Sequence, residues 1–198
     1  MNVLVNGIGN IGTTLLNVLV KYKSDFGIEK IYANKNDPQP YHQAELDILR
    51  HLGVILCSPK KLRGFEDFEN VATKVDYIFD TGANGSGNRN KTFYESLKSL
   101  KGCSAQGSEK GFGISFMSGI NSEIIQGQKF VHIVSCNTHG TAALMSTFAG
   151  SRLEDLDFAD MVVVRRSEDI GNHERLVSAN VVARHLDLVT GTHHAIDV

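Results

Sequence analysis

The run Gly7-Ile8-Gly9-Asn10-Ile11-Gly12 constrains this chain more than any other feature. It follows an apolar stretch, Val3 to Asn6, that reads as a strand. It precedes Thr13 to Tyr22, where Leu15, Leu16, Leu19 and Val20 recur at helical spacing. A G-x-G-x-x-G run between a strand and a helix is the phosphate turn of a dinucleotide-binding βαβ unit. The first glycine allows the tight turn, the second lets a pyrophosphate approach the backbone, and the third lets helix and strand pack closely. The helix terminus adds N–H donors and a partial positive charge. Gly7, Gly9, Asn10, Ile11 and Gly12 are therefore the expected phosphate-binding residues.

Further segments repeat the alternation. Strands are expected at Ile28–Ala33, Gly53–Cys57, Asp76–Asp80, Cys103–Gln106 and Phe130–Ser135. Helices are expected at Tyr41–Leu52, more weakly at Phe65–Ala72, then at Asn88–Leu100 and from Asn137 to about Phe148. Thr81 to Gly87 forms a second glycine-rich loop. Strands and helices in alternation imply an α/β fold with a doubly wound parallel sheet. After residue 150 the pattern changes. Phe158–Arg166 reads as a long strand through Met161-Val162-Val163-Val164, and Leu176–Ala183 as another. The expected division is a Rossmann domain over 1–136, then the beginning of an α+β catalytic domain over 137–198.

The end of the second strand bears on the choice of nucleotide. An acid there would bind a ribose 2′-hydroxyl and repel a 2′-phosphate. The sequence reads Ala33-Asn34-Lys35-Asn36, with no acid before Asp37. Lys35 suits a 2′-phosphate, so NADP is the expected cofactor, with NAD the second choice. Of three cysteines, Cys57 and Cys103 sit in apolar strands and read as small buried hydrophobes. Cys136 lies between a strand and a helix, and a helix N-terminus favours a thiolate. A thiolate there can add to an aldehyde, with Ser135 and Asn137 placed to cap the helix or bind an oxyanion. No CxxC or other metal-ligand spacing occurs, so no metal is expected.

These residues carry a resemblance. Ser135-Cys136-Asn137-Thr138 resembles the active-site segment of archaeal-type (type II) phosphorylating glyceraldehyde-3-phosphate dehydrogenases. Val5 to Gly12, Asn34-Lys35, Asp80 to Lys91, Gln106 to Lys110, Val164-Arg165-Arg166 and His193-His194 agree with that family in order. The resemblance implies Cys136 as nucleophile. It implies Lys35, Gly107, Ser108 and Arg166 on the cofactor. It implies Ser135, Asn137, Arg165, His193 and His194 on the substrate. His193, His194 and His139 are candidates for the general base, and an ion pair with Glu168, Asp169 or Glu174 is the plainer reading of the arginines. Ser108, His139 and Ala195-Ile196 depart from the family pattern. Family members are longer, so the expectation is a C-terminally truncated relative.

The implied reaction oxidises glyceraldehyde 3-phosphate, with inorganic phosphate, to 1,3-bisphosphoglycerate through a thioester, a step of glycolysis and gluconeogenesis. An aspartate-semialdehyde dehydrogenase and a non-catalytic nucleotide-binding module are the alternatives. A homotetramer is implied by the family. The formal net charge of −2 argues against nucleic acid as a partner. No apolar stretch spans a bilayer and no signal peptide is evident, so a cytoplasmic location is expected.

Overall fold

A computed structural model describes residues 1–150, 153 and 156–163 of the 198. Eight strands form one sheet: β1 (Asn2–Asn6), β2 (Lys30–Asn34), β3 (Ile55–Ser58), β4 (Glu66–Asp67), β5 (Tyr77–Asp80), β6 (Gly102–Gln106), β7 (Ile114–Phe116) and β8 (Phe130–Ile133). Five α-helices accompany them: α1 (Asn10–Lys21), α2 (Gln43–His51), α3 (Phe68–Ala72), α4 (Ser86–Ser96) and α5 (Cys136–Ala149). The strand order is β4-β3-β2-β1-β5-β6-β8-β7. Every pairing is parallel.

Alternate strand residues face opposite sides, and both sides are covered. Val3, Val5, Ile31, Ala33 and Leu56 pack with Leu16 and Leu19 of α1 and Leu46 and Leu49 of α2. Leu4, Tyr32, Cys57, Ile78 and Cys103 pack with Val71 of α3 and Tyr94 of α4. Burial on both faces explains why the central strands read as continuous apolar runs. The expected doubly wound parallel sheet is the one observed.

From β1 the chain winds outward through β2 and β3, then returns to the other side of β1 with β5. Connections leave β1 and β5 in opposite directions, which opens a crevice at their carboxyl ends. The extra strands β4 and β7 sit at the two edges of the sheet. Neither was expected. Two and three residues are too few to show a period of two, and Ile114 and Ser115 are exposed.

The strand expected over Phe158–Arg166 is not formed in its described part. Residues 158–163 belong to no strand, and Phe158 and Val162 are 80% and 87% exposed. β-Branched residues favour an extended backbone, but a strand needs a neighbour to share its ladder. Leu176–Ala183 lies outside the described residues. Among the described residues, no helix is long and apolar enough to cross a membrane.

Candidate functional site

The floor of the crevice is a row of polar side chains across three strands. Asn34, Asn6 and Asp80 are the last residues of β2, β1 and β5 and lie in register. Asn34 Nδ2 donates to Asn6 Oδ1 at 2.7 Å, and Asn6 Nδ2 donates to Asp80 Oδ2 at 3.2 Å. All three are buried. The residues that follow, Lys35, Gly7 and Thr81, begin the three loops that surround the crevice. The row thus ties the loops together at their roots. A polar residue closing each of three apolar strands is the sequence signal for this row.

Gly7 continues this arrangement. Its N–H donates to Asn34 O at 3.2 Å, and its carbonyl accepts from Thr81 Oγ1 at 2.7 Å. Its φ of +121° suits glycine, and a Cβ would lie 2.9 Å from Gly82 N. Gly12 allows the closest approach, since a Cβ there would collide with the Gly7 carbonyl oxygen. Gly9 differs from both: a Cβ built on it meets nothing within 4 Å. Gly9 is also the N-cap of α1, with no side-chain capping bond and no acid in the first turn. The space over Gly9 and this uncapped terminus suit the pyrophosphate of a dinucleotide. Ile11 is exposed on the same turn.

Lys35 stands beside the turn. Its Nζ donates to the Ile8 carbonyl at 2.7 Å. Desolvation holds its ammonium below the usual lysine range, and nearby Glu45 partly offsets this. Lys35 thus contacts the glycine turn from the loop that follows β2.

The second glycine-rich loop is built otherwise. Asp80 Oδ1 accepts from Gly82 N at 3.1 Å and Ser86 Oγ at 2.9 Å. Asp80 Oδ2 accepts from Tyr94 OH at 2.6 Å and Asn90 Nδ2 at 2.8 Å, besides Asn6. Burial, with Asp80 alongside, pushes the Tyr94 phenol far up, so it remains a donor. From the other side, buried Glu109 accepts from the Asn88 N–H at 2.8 Å through Oε2. Two carboxylates of the protein therefore occupy the positive end of α4.

Glu109 belongs to the loop after β6 that carries Gly107 and Ser108. Gly107 N donates to Ile133 O at 3.0 Å, and buried His132 binds Gly107 O through Nε2 at 2.7 Å. A carbonyl only accepts, so Nε2 carries the proton. Ser108 is exposed above this anchored turn.

Cys136 is the first residue of α5, and the helix leaves the carboxyl end of β8. Ser135 is its N-cap, accepting from Thr138 N at 3.3 Å. The serine hydroxyl therefore takes the capping role that was one of its two expected uses. Cys136 is exposed, while Cys57 and Cys103 are buried. Burial pushes the Cys57 thiol up to about 12, and the Cys103 thiol higher still. Asn137 Oδ1 lies 4.0 Å from Cys136 Sγ. His139 Nε2 is 3.0 Å from the Ser118 carbonyl, which directs that nitrogen to the backbone.

All of these loops lie on one edge because the strands are parallel. The glycine turn follows β1, Gly107 and Ser108 follow β6, and Ser135 to Asn137 follow β8. Between β1 and β8 there are three strand spacings, about 14 Å. Arg165, Arg166, His193 and His194 lie outside the described residues. Among the described residues no group of three or more His, Cys, Asp or Glu could hold a metal ion.

A glyceraldehyde-3-phosphate dehydrogenase of Pyrococcus abyssi is 33% identical over 181 residues, 86% of this chain and 51% of its own length. That of Thermococcus sibiricus is 31% identical over 183 residues, with the same coverage. That of Sulfurisphaera tokodaii is 28% identical over 209 residues, 100% of this chain and 57% of its own. This chain is a relative of the archaeal glyceraldehyde-3-phosphate dehydrogenases. It spans about half the length of these curated relatives. No protein-family model matches the chain. Among solved structures, shikimate dehydrogenase of Mycobacterium tuberculosis has a TM-score of 0.41 and 12% identity, covering 77% of this chain and 51% of that one. The fold assignment rests on the strand order itself.

Proposed function

We propose that this chain binds NADP, with NAD as the weaker ligand, and oxidises glyceraldehyde 3-phosphate with inorganic phosphate through a thioester on Cys136. One observation carries the reading. The exposed thiol begins a helix on the same sheet edge as the uncapped glycine turn, with the Gly107–Ser108 turn between them. The division into a nucleotide domain over 1–136 and the start of a catalytic domain from 137 belongs to the same proposal. Its boundary falls within the first turn of α5.

Gly7, Gly9, Asn10, Ile11 and Gly12 hold the pyrophosphate, Lys35 takes the 2′-phosphate, and Gly107, Ser108 and Arg166 flank the nicotinamide. The cofactor, when bound, supplies the hydride acceptor. The chain supplies the nucleophile. Cys136 Sγ adds to the aldehyde carbon, and the α5 terminus stabilises the thiolate that does so. Asn137 and the first N–H groups of α5 face the oxygen that gains negative charge. A base, His193 or His194, takes the hydroxyl proton as the carbon is oxidised to the thioester. Phosphate, held by Arg165, then attacks the thioester carbon, and the thiolate leaves to regenerate Cys136. A homotetramer in the cytoplasm completes the proposal.

The test is phosphate-dependent reduction of NADP with glyceraldehyde 3-phosphate, beside Cys136→Ser. Turnover that needs phosphate and disappears in the variant supports the reading. Nucleotide binding without turnover favours a non-catalytic nucleotide-binding module.

A further inference from the structure

We propose that Lys60 sets nucleotide preference without touching the nucleotide, by neutralising Asp37 beside the 2′-phosphate position. The proposal rests on the cofactor reading above and specifies how its selectivity arises.

β2 and β3 are parallel neighbours with Asn34 opposite Cys57. Beyond the strands the two loops stay joined. Lys35 N donates to Cys57 O at 3.1 Å, and Ser58 Oγ donates to Asn36 O at 3.5 Å. Lys60 Nζ then reaches across to Asp37 Oδ1 at 2.5 Å, while Gln39 Nε2 holds Asp37 Oδ2 at 2.8 Å. Both oxygens of Asp37 are engaged. The lysine accordingly holds the Asp37 carboxyl below the usual carboxylate range.

Asp37 is the first acid after β2, two residues from Lys35 and so within about 7 Å along the chain. That is inside one Debye length at physiological ionic strength. The second acid near Lys35 is Glu45 of α2, which also accepts from Thr13 Oγ1 at 2.6 Å. Lys35, Asp37 and Glu45 together leave this stretch with a local balance of −1. Lys60 makes it neutral. Farther along the chain, Lys61 and Arg63 are matched in number by Glu66 and Asp67 of β4. His42, the remaining titratable neighbour, accepts from Gln39 N through Nδ1 at 2.9 Å and acts on Asp37 in the same direction as Lys60. Asp37 and Lys60 have side chains 62% and 57% exposed, so their replacement leaves the core intact.

The experiment titrates NADPH and NADH into the whole chain, following nicotinamide fluorescence at low ionic strength. The proteins are wild type, Lys60→Met, Asp37→Ala and the double variant. Lys60→Met is expected to weaken NADPH about fivefold, because it unmasks the Asp37 charge. NADH should stay within about twofold. The double variant should recover NADPH binding, because removing Asp37 removes what Lys60 masks. Equal weakening of both nucleotides, no change in either, or a double variant as weak as Lys60→Met would overturn the proposal and leave the cofactor reading intact. A wild-type protein that binds neither nucleotide would overturn both.

Discussion

Gly7–Gly12 and Thr81–Gly87 both follow a buried parallel strand, both lead into a helix, and both border the same crevice. Their helix termini are nevertheless in opposite conditions. Neither helix has a side-chain cap on its N-cap glycine or an acid in its own first turn, but at α1 there is open space over Gly9. At α4, Asp80 binds Gly82 N and Ser86 Oγ, and Glu109 binds Asn88 N. Glycine opens a backbone to approach, but what fills the opening decides its use. The first loop offers its positive end to a ligand. The second spends its own on internal carboxylates and becomes a rigid wall.

The largest effect is expected where the filled terminus is emptied. Asp80→Ala strands the buried Tyr94 hydroxyl proton and leaves Asn6 Nδ2 only the Tyr94 oxygen to donate to, and should cost about 3 kcal/mol in urea unfolding. A loss under about 1 kcal/mol would show that water serves as well as the carboxylate. The next effect is at the open turn. Gly12→Ala sets a methyl against the Gly7 carbonyl, and should cost about 2 kcal/mol while abolishing nucleotide binding. Retained binding would mean that the turn can relax without losing its function. The smallest belongs to Glu109→Gln. The amide oxygen can still accept from Asn88 N, so only the charge at the α4 terminus is lost, at about 1 kcal/mol. A cost like that of Asp80→Ala would make the charge of Glu109, rather than its hydrogen bond, the essential feature.

This contrast also marks where the sequence is readable. The glycine turn, the central strands and the start of α5 at Cys136 are local patterns, and the structure has them where the spacing predicts. The contents of the α4 terminus are not local. Asp80 and Glu109 are 29 residues apart in the numbering and meet the helix from two different strands, so no window of sequence pairs them. The same holds for Lys60 and Asp37, brought together by the register of β2 and β3. β7 escaped notice because three residues are too short for a period, and it lies beyond β8 although it precedes it in the chain. At Phe158 the error ran the other way. Met161-Val162-Val163 has strand propensity, but among the described residues no strand shares a ladder with it.

The central claim is that the open α1 terminus receives the nucleotide, and Gly9 tests it most directly. Its φ of −130° is available to any residue, and the space above it is empty, so Gly9→Val should fold, at a cost of about 1 kcal/mol for the lost glycine N-cap. The measurement is an NADPH titration of both proteins. The account predicts binding by wild type and at least about tenfold weaker binding by the variant, whose side chain fills the space meant for the pyrophosphate. Equal affinity in the two proteins would place the nucleotide elsewhere and contradict the account.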